Sequence, residues 1–343
     1  MITNAINMIG YNATLLLCIL FTQKAIKSNA PAIMQTSEFS QITESRTLDK
    51  HLTTNNRVND IVKHTAFKGF GELVLPRDNN TAYYNTSINN IASLMPYHNA
   101  ITPGDIVKAL NHLIDDKNEG NTIFYSFYNE QQQKQDPSKK NTGLFFFRGD
   151  PGAPFAIICH GGGFSYVGSL HEGFPLASQI SNKKLNAFVI RYRIGSEQWA
   201  TEDLASAIHF IFENAPGLKV SSKNYSLWGG SAGARMVGNI AQYGVKAFLN
   251  GDYPKPVTAV IAYTGQSSYD KDFPATYITV SADDGIASAS TVDRRVQNLK
   301  NAGVTVSYDR YKSAGHGFGL GTGTDAAGWL NHAVDFWKNQ MKR

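Results

Sequence analysis

The sequence predicts an α/β fold: a mostly parallel central sheet with helices on both faces and an amino-terminal extension. Two observations carry this. From about residue 143 onward, short apolar runs alternate with longer segments of helical spacing. That alternation builds a parallel sheet through right-handed crossovers. Two of those runs end in glycine-rich turns, His160-Gly161-Gly162-Gly163-Phe164 and Gly229-Gly230-Ser231-Ala232-Gly233. They would stand at the carboxyl ends of strands, where open α/β sheets bind ligands. A chain of 343 residues, 42% hydrophobic, can bury a large core in one main domain with additions.

Taken in order, residues 1–30 read as a possible signal or apolar leader. Ala13 to Phe21 form an apolar run of signal-peptide length, too short to span a bilayer. Ala30-Pro31-Ala32 follows as a small-residue region. Lys24 and Lys27 stand after the run and no Lys or Arg before it, the reverse of a secretory charge order. Export, periplasmic or secreted, is the favoured reading, with a cytoplasmic location as the alternative. Residues 31–120 read as an amino-terminal extension. Within it the polar, Asn/Thr/Ser-rich stretch 35–60 suits a linker, and residues 50–130 could fold over the mouth of a site as a lid. Thr102-Pro103-Gly104-Asp105 starts a helix, with Thr as N-cap, Pro in the first position and Asp against the dipole.

The main domain is expected over 121–343. Alternation in Thr122–Tyr128 predicts a strand, joined through the polar loop 131–140 to Gly143–Phe147 as an antiparallel hairpin. Further strands are expected near 155–159, 187–193, 225–229, 257–263, 275–281 and 304–311. Helices near 170–182, 200–214, 232–243, 289–302 and 325–340 separate them.

The chemistry lies in the turns. Gly229–Gly233 reads G-x-S-x-G after a strand, a sharp turn into a helix that leaves Ser231 at its apex with an exposed hydroxyl. The three glycines after His160 let backbone N–H groups face a substrate unhindered. Such donors stabilise a developing oxyanion, and losing one costs about 3 kcal/mol of transition-state stabilisation. Downstream come Asp283-Asp284-Gly285 after a strand and Gly315-His316-Gly317 after the next. The order Ser…Asp…His differs from those of chymotrypsin-like and subtilisin-like proteases. Asp284 is the favoured acid over Asp283, because it lies further past the strand end.

These motifs resemble the α/β-hydrolase fold of the HGGG-type esterase/lipase group, close to acetyl-esterase and acetylxylan-esterase-like hydrolases. The resemblance runs from about Gly143 to Trp337 and includes the strand Ala187–Arg193, the helix Glu202–Ile208 and the run Gly315–Gly321. It implies Ser231, Asp284 and His316 as catalytic triad, with Asp284-Gly285-Ile286-Ala287 matching the acid segment. It also implies oxyanion donors on Gly162, Gly163 and Ala232. The implied activity is a cofactor-free serine carboxylester hydrolysis through an acyl-enzyme, on a small-molecule ester, with short acetyl-type groups on carbohydrate as one substrate class. A peptidase or acyltransferase shares that chemistry, and a catalytically silent binding protein shares the fold. Phe164 and Tyr166 are candidate pocket residues, with Trp228 and Tyr263 nearby as pocket or core aromatics.

Other classes lack support. Net charge is +5, but no basic run exceeds two residues, so nucleic-acid binding is not expected. No G-x-G-x-x-G or G-K-[ST] occurs, and His171-Glu172 lacks the second histidine of a zinc-protease helix. No metal cluster stands out among the nine histidines. Cys18 and Cys159 do not make a disulfide framework. Oligomeric state is not legible.

Overall fold

The computed structural model describes residues 48–77, 81–266, 269 and 271–343. The apolar leader and the first part of the extension lie outside the described residues. Eight strands form one sheet among them: β1 (Phe124–Tyr125), β2 (Gly143–Phe147), β3 (Pro154–Cys159), β4 (Asn186–Arg191), β5 (Ser221–Gly230), β6 (Thr258–Ala262), β7 (Ala275–Ser281) and β8 (Val306–Tyr311). Their order is β1-β2-β4-β3-β5-β6-β7-β8. Pairs β1–β2 and β2–β4 are antiparallel; every pairing from β4 through β3 to β8 is parallel.

Strands β2, β4 and β6 are buried at every residue, as strands covered on both faces must be. The described helices are α1 (Val58–Val62), α2 (Pro103–Asn118), α3 (Glu130–Gln135), α4 (Phe174–Asn182), α5 (Glu197–Leu218), α6 (Ala232–Tyr243), α7 (Ala289–Asn301) and α8 (Trp329–Gln340), and the cover comes from α2 and α4 to α8. Helix α2 packs on α4, α5 on α6, and α6 lies over β5 and β6. Trp228 of β5 packs against Trp329 and Trp337 of α8, with ring centroids 6.2 and 6.4 Å apart. It is therefore a core aromatic rather than a pocket wall.

The structure departs from the sequence expectation in four places. The strand expected over 122–128 pairs only at Phe124–Tyr125. Beyond it the chain leaves the sheet to bury Tyr128, whose hydroxyl donates to Asp203 at 2.7 Å. The polar loop 131–140 is largely helical, because Asn129 and Gln132 cap each other reciprocally at 2.9 Å. Thr102 stands at the N-cap of α2, yet its hydroxyl donates back to the Ala100 carbonyl and caps nothing.

The fourth departure matters most for the site. Residues 48–60, read as part of a linker, bury Leu52 and Val58, and Asn111 of α2 exchanges two hydrogen bonds with the Leu52 backbone. Ile61, Phe67, Val74, Ile88 and Ile91 are fully buried as well. Residues 48–120 and 121–343 thus share one compact unit, with no division at residue 120.

Candidate active site

The turn between β5 and α6 places Ser231 at φ 50° and ψ −115°. For a residue with a side chain this conformation costs about 1–3 kcal/mol, a strain held in place only by tight surroundings. The surroundings are tight. A Cβ on Gly233 would come within 1.8 Å of the Cys159 carbonyl oxygen, so β3 and the start of α6 can approach only with glycine there. The reward is geometric: the Ser231 side chain projects from the sheet's carboxyl edge into the open.

Ser231 Oγ lies 2.9 Å from His316 Nε2. On the other side of that ring, Nδ1 is 3.0 and 2.9 Å from the two oxygens of Asp284. The Asp284 side chain is fully buried and that of His316 nearly so. Asp284 Oδ1 also accepts the backbone N–H groups of Ile286 and Ala287 at 2.8 and 2.7 Å. A carboxylate held this way is an acceptor only, so Nδ1 carries the proton and Nε2 is left to accept from the serine hydroxyl.

Asp283, adjacent in sequence, points elsewhere. Its Oδ1 accepts from the Ser281 hydroxyl and from the Gly315 N–H, the latter at 2.9 Å. Those bonds hold its carboxyl below the usual range. Ser281 Oγ in turn accepts the Ala314 N–H at 2.8 Å. The two side chains anchor the loop that carries His316 to the end of β7.

The second loop follows β3. Gly162, at φ 131°, turns the chain so sharply that a Cβ there would lie 2.2 Å from the Tyr166 carbonyl oxygen. Gly163 is exposed beside Ser231 and Phe164 is half-buried. The backbone N–H groups of Gly162, Gly163 and Ala232 have no acceptor among the described residues. For Ala232 this follows from its place as first residue of α6, since the first N–H groups of a helix lack intrahelical partners. A cleft of about 560 Å³ opens over this region, bordered by Gly163, Phe164, Ser231, Ala232, Ile286 and His316. Tyr166, expected as a pocket residue, does not border it. Its ring is fully buried behind the loop, and its hydroxyl bonds to the segment before α2.

What holds the glycine loop is a set of buried polar side chains. His160, fully buried, donates from Nε2 to the Ile190 carbonyl at 2.8 Å and accepts the Gly168 N–H on Nδ1 at 3.1 Å. Burial pushes its pKa down to about 4, so it is neutral and structural. One wide helical turn, Ser169–Gly173, then presents His171 and Glu172 to different loops. His171 Nε2 donates to the Gly317 carbonyl at 2.9 Å, and burial holds its pKa at about 4. Glu172 accepts the Gly161 N–H and the Tyr263 hydroxyl, the latter at 2.6 Å. His98 Nε2 stands 3.2 Å from Oε1, the oxygen that accepts from Tyr263, outside hydrogen-bond alignment. Burial by itself would raise the Glu172 carboxyl; His98, Tyr263 and Gly161 bring it down to about 2.

The sequence motifs therefore converge at one edge of the sheet, and the support beneath them is new. Glu172 was visible only as part of a pair that failed a zinc-site pattern. His98 and Asn99 carried no signal, because a residue that acts through long-range contacts leaves no local spacing.

Comparison with known proteins agrees on architecture. No family model matches the chain. Among solved structures it resembles an α/β hydrolase from a Medee basin deep-sea metagenome library (TM-score 0.52, 20% identity, 59% of this chain and 93% of that one). It also resembles an esterase of Rhizomucor miehei (TM-score 0.51, 18% identity, 59% and 80%). The chain has the α/β-hydrolase fold. A third neighbour with this α/β-hydrolase architecture is the carboxylesterase Cest-2923 of Lactobacillus plantarum (TM-score 0.50, 19% identity, 58% and 92%). A curated relative, endo-1,4-beta-xylanase B of Butyrivibrio fibrisolvens, is 31% identical over 91 residues, which is 25% of this chain. The chain spans only 14% of that relative's length.

Proposed function

We propose that this protein is a serine carboxylester hydrolase acting through an acyl-enzyme. The observation that carries the reading is the relay Ser231–His316–Asp284, with contacts of 2.9 Å at the serine and 2.9–3.0 Å at the acid. His316 Nε2 takes the hydroxyl proton as Ser231 Oγ attacks the ester carbonyl. The carbonyl oxygen, now negative, is met by the N–H groups of Gly162, Gly163 and Ala232, donors already fixed and free of other acceptors. Protonated His316 is stabilised by Asp284 and returns its proton to the departing alcohol. Water, deprotonated by the same Nε2, then attacks the acyl-enzyme, and the acid and free serine result. No step calls for a metal or cofactor.

The cleft supports a reading of the substrate class. On the α5–α6 side, Arg235 binds Glu197 through Nε and Nη2 at 2.7 and 2.5 Å. Asn239 donates to the same carboxylate at 2.9 Å, and Gln266 completes a polar wall. Phe164 and exposed Ile286 supply apolar faces. Fixed donors and acceptors beside apolar platforms suit an alcohol rich in hydroxyl groups, so short-chain esters of carbohydrates are the proposed substrates. The partial match to a xylanase supports the carbohydrate side of this reading.

The test is turnover of p-nitrophenyl acetate by wild type and Ser231→Ala. Loss of nearly all turnover with an unchanged circular dichroism spectrum is expected; an active variant contradicts the assignment. A series of p-nitrophenyl esters of increasing chain length, run beside acetylated xylan, then tests substrate class. Rates that rise with chain length, or no acetate released from xylan, would remove the short-chain carbohydrate proposal.

A further inference from the structure

Three residues that precede α2, Tyr97, His98 and Asn99, come from outside the sheet and touch both loops flanking Ser231. Asn99 is the first contact. Its backbone N–H and its side-chain Nδ2 both donate to the His316 carbonyl, at 3.1 and 2.9 Å. The same side chain lies against Gly315, where a Cβ would meet it at 2.9 Å. Tyr97 is the second contact. Its N–H donates to the Tyr166 hydroxyl at 3.0 Å, and its ring stacks on the Tyr166 ring with centroids 5.6 Å apart. A Cβ on Gly163 would stand 3.1 Å from the Tyr97 ring.

His98 joins the two. It is buried, with Nδ1 2.8 Å from the Tyr166 hydroxyl and Nε2 3.2 Å from Glu172. The Tyr166 hydroxyl thus accepts the Tyr97 N–H and bonds His98 Nδ1 as well. A continuous path then runs from the His316 carbonyl through Asn99 and His98 to Glu172, and from Glu172 to the Gly161 N–H.

We propose that Tyr97–Asn99 is a positioning strap of the reactive site, setting where His316 stands relative to the glycine-loop donors. The proposal rests on the reading of Ser231, Asp284 and His316 given above. The physical reason is that neither loop is part of the sheet. A loop carrying a general base can shift unless its backbone is tied, and a displacement of about 1 Å costs about a hundredfold in rate. Asn99 ties the carbonyl of the histidine itself.

Asn99 is exposed, so its substitution leaves no cavity. Asn99→Ala keeps the backbone bond and loses the side-chain one. Asn99→Asp keeps the shape but turns the donor into a charged acceptor aimed at the His316 carbonyl. The measurements are kcat and KM on p-nitrophenyl acetate, and the melting temperature of each variant. The strap predicts a fall in kcat of about tenfold for Asn99→Ala and more for Asn99→Asp, with KM within about twofold. Melting temperature should stay within about 2 °C, as for other surface changes.

Wild-type kcat in both variants, with Ser231→Ala inactive, overturns the strap and leaves the proposed function standing. A kcat loss accompanied by a matching loss of folded protein overturns it too, since that outcome describes a structural contact only. An active Ser231→Ala removes the underlying reading and the strap with it.

Discussion

The two loops that meet at Ser231 differ in how much of their support lies at the surface. The glycine loop after β3 is fixed from beneath by buried side chains, His160 and Glu172, each with hydrogen bonds to the backbone. The loop carrying His316 is also fixed beneath, by His171 on Gly317 and by buried Ser281 on Ala314, but two contacts of exposed side chains complete its support. These are Asp283 on Gly315 and Asn99 on the histidine carbonyl. Buried polar contacts in a low-dielectric interior are costly to break and rigid once satisfied. Surface contacts are cheap to change. The proposed oxyanion donors should therefore tolerate surface substitution, and the position of His316, the proposed general base, should not.

The largest expected effect separates two neighbouring carboxylates. Asp284→Asn preserves shape but offers an amide to Nδ1, favouring the tautomer that cannot accept from Ser231; turnover should fall about ten-thousand-fold. Asp283→Ala, which only releases Gly315 and the Ser281 hydroxyl, should cost about tenfold through the loop. Asp283→Asn should cost less still, because the amide oxygen can accept the same two hydrogen bonds. Steady-state kinetics on p-nitrophenyl acetate measures all three. A larger loss at position 283 than at 284 would reverse the assignment of the acid.

A smaller effect tests the inner support through pH. His160 and His171 have folded pKa values of about 4 because burial disfavours their charged forms, whereas in the unfolded chain they titrate near 6.5. Above that value both are neutral in either state. As pH falls from about 6.5 to 4, only the unfolded chain takes up the protons, and stability drops. Glu172, lowered to about 2, adds stability present above its unfolded pKa of about 4.3 and lost as pH falls towards 2. The urea midpoint should be flat from pH 8 to 7 and decline through 6 and 5. A midpoint constant to pH 5 would mean that these histidines are not buried as neutral groups.

The same contrast explains what the sequence made legible. Strands β3 to β8 and helices α4 to α8 were readable because each satisfies its own periodicity and ends in its own turn. Ser231 and Gly162 announced themselves because a strained φ or a close backbone approach restricts the residue types that fit locally. Asp284 was harder, since register at a strand end is decided by which carboxylate the loop amides can reach. Tyr97, His98 and Asn99 were invisible. Their partners are about 70 to 217 residues away, and nothing in a Tyr-His-Asn run marks such contacts. Residues 48–60 misled for a related reason: a polar stretch with two well-placed apolar residues, Leu52 and Val58, packs by tertiary contact despite its composition.

The central claim is that Ser231 is a nucleophile activated by His316. It is tested most directly by treating wild type and His316→Ala with a fluorophosphonate, then locating the adduct by peptide mass spectrometry. The account predicts one adduct per wild-type chain, on Ser231, appearing as esterase activity disappears, with labelling of His316→Ala slower by orders of magnitude. An adduct on another residue, or equal labelling rates in the two proteins, would contradict it.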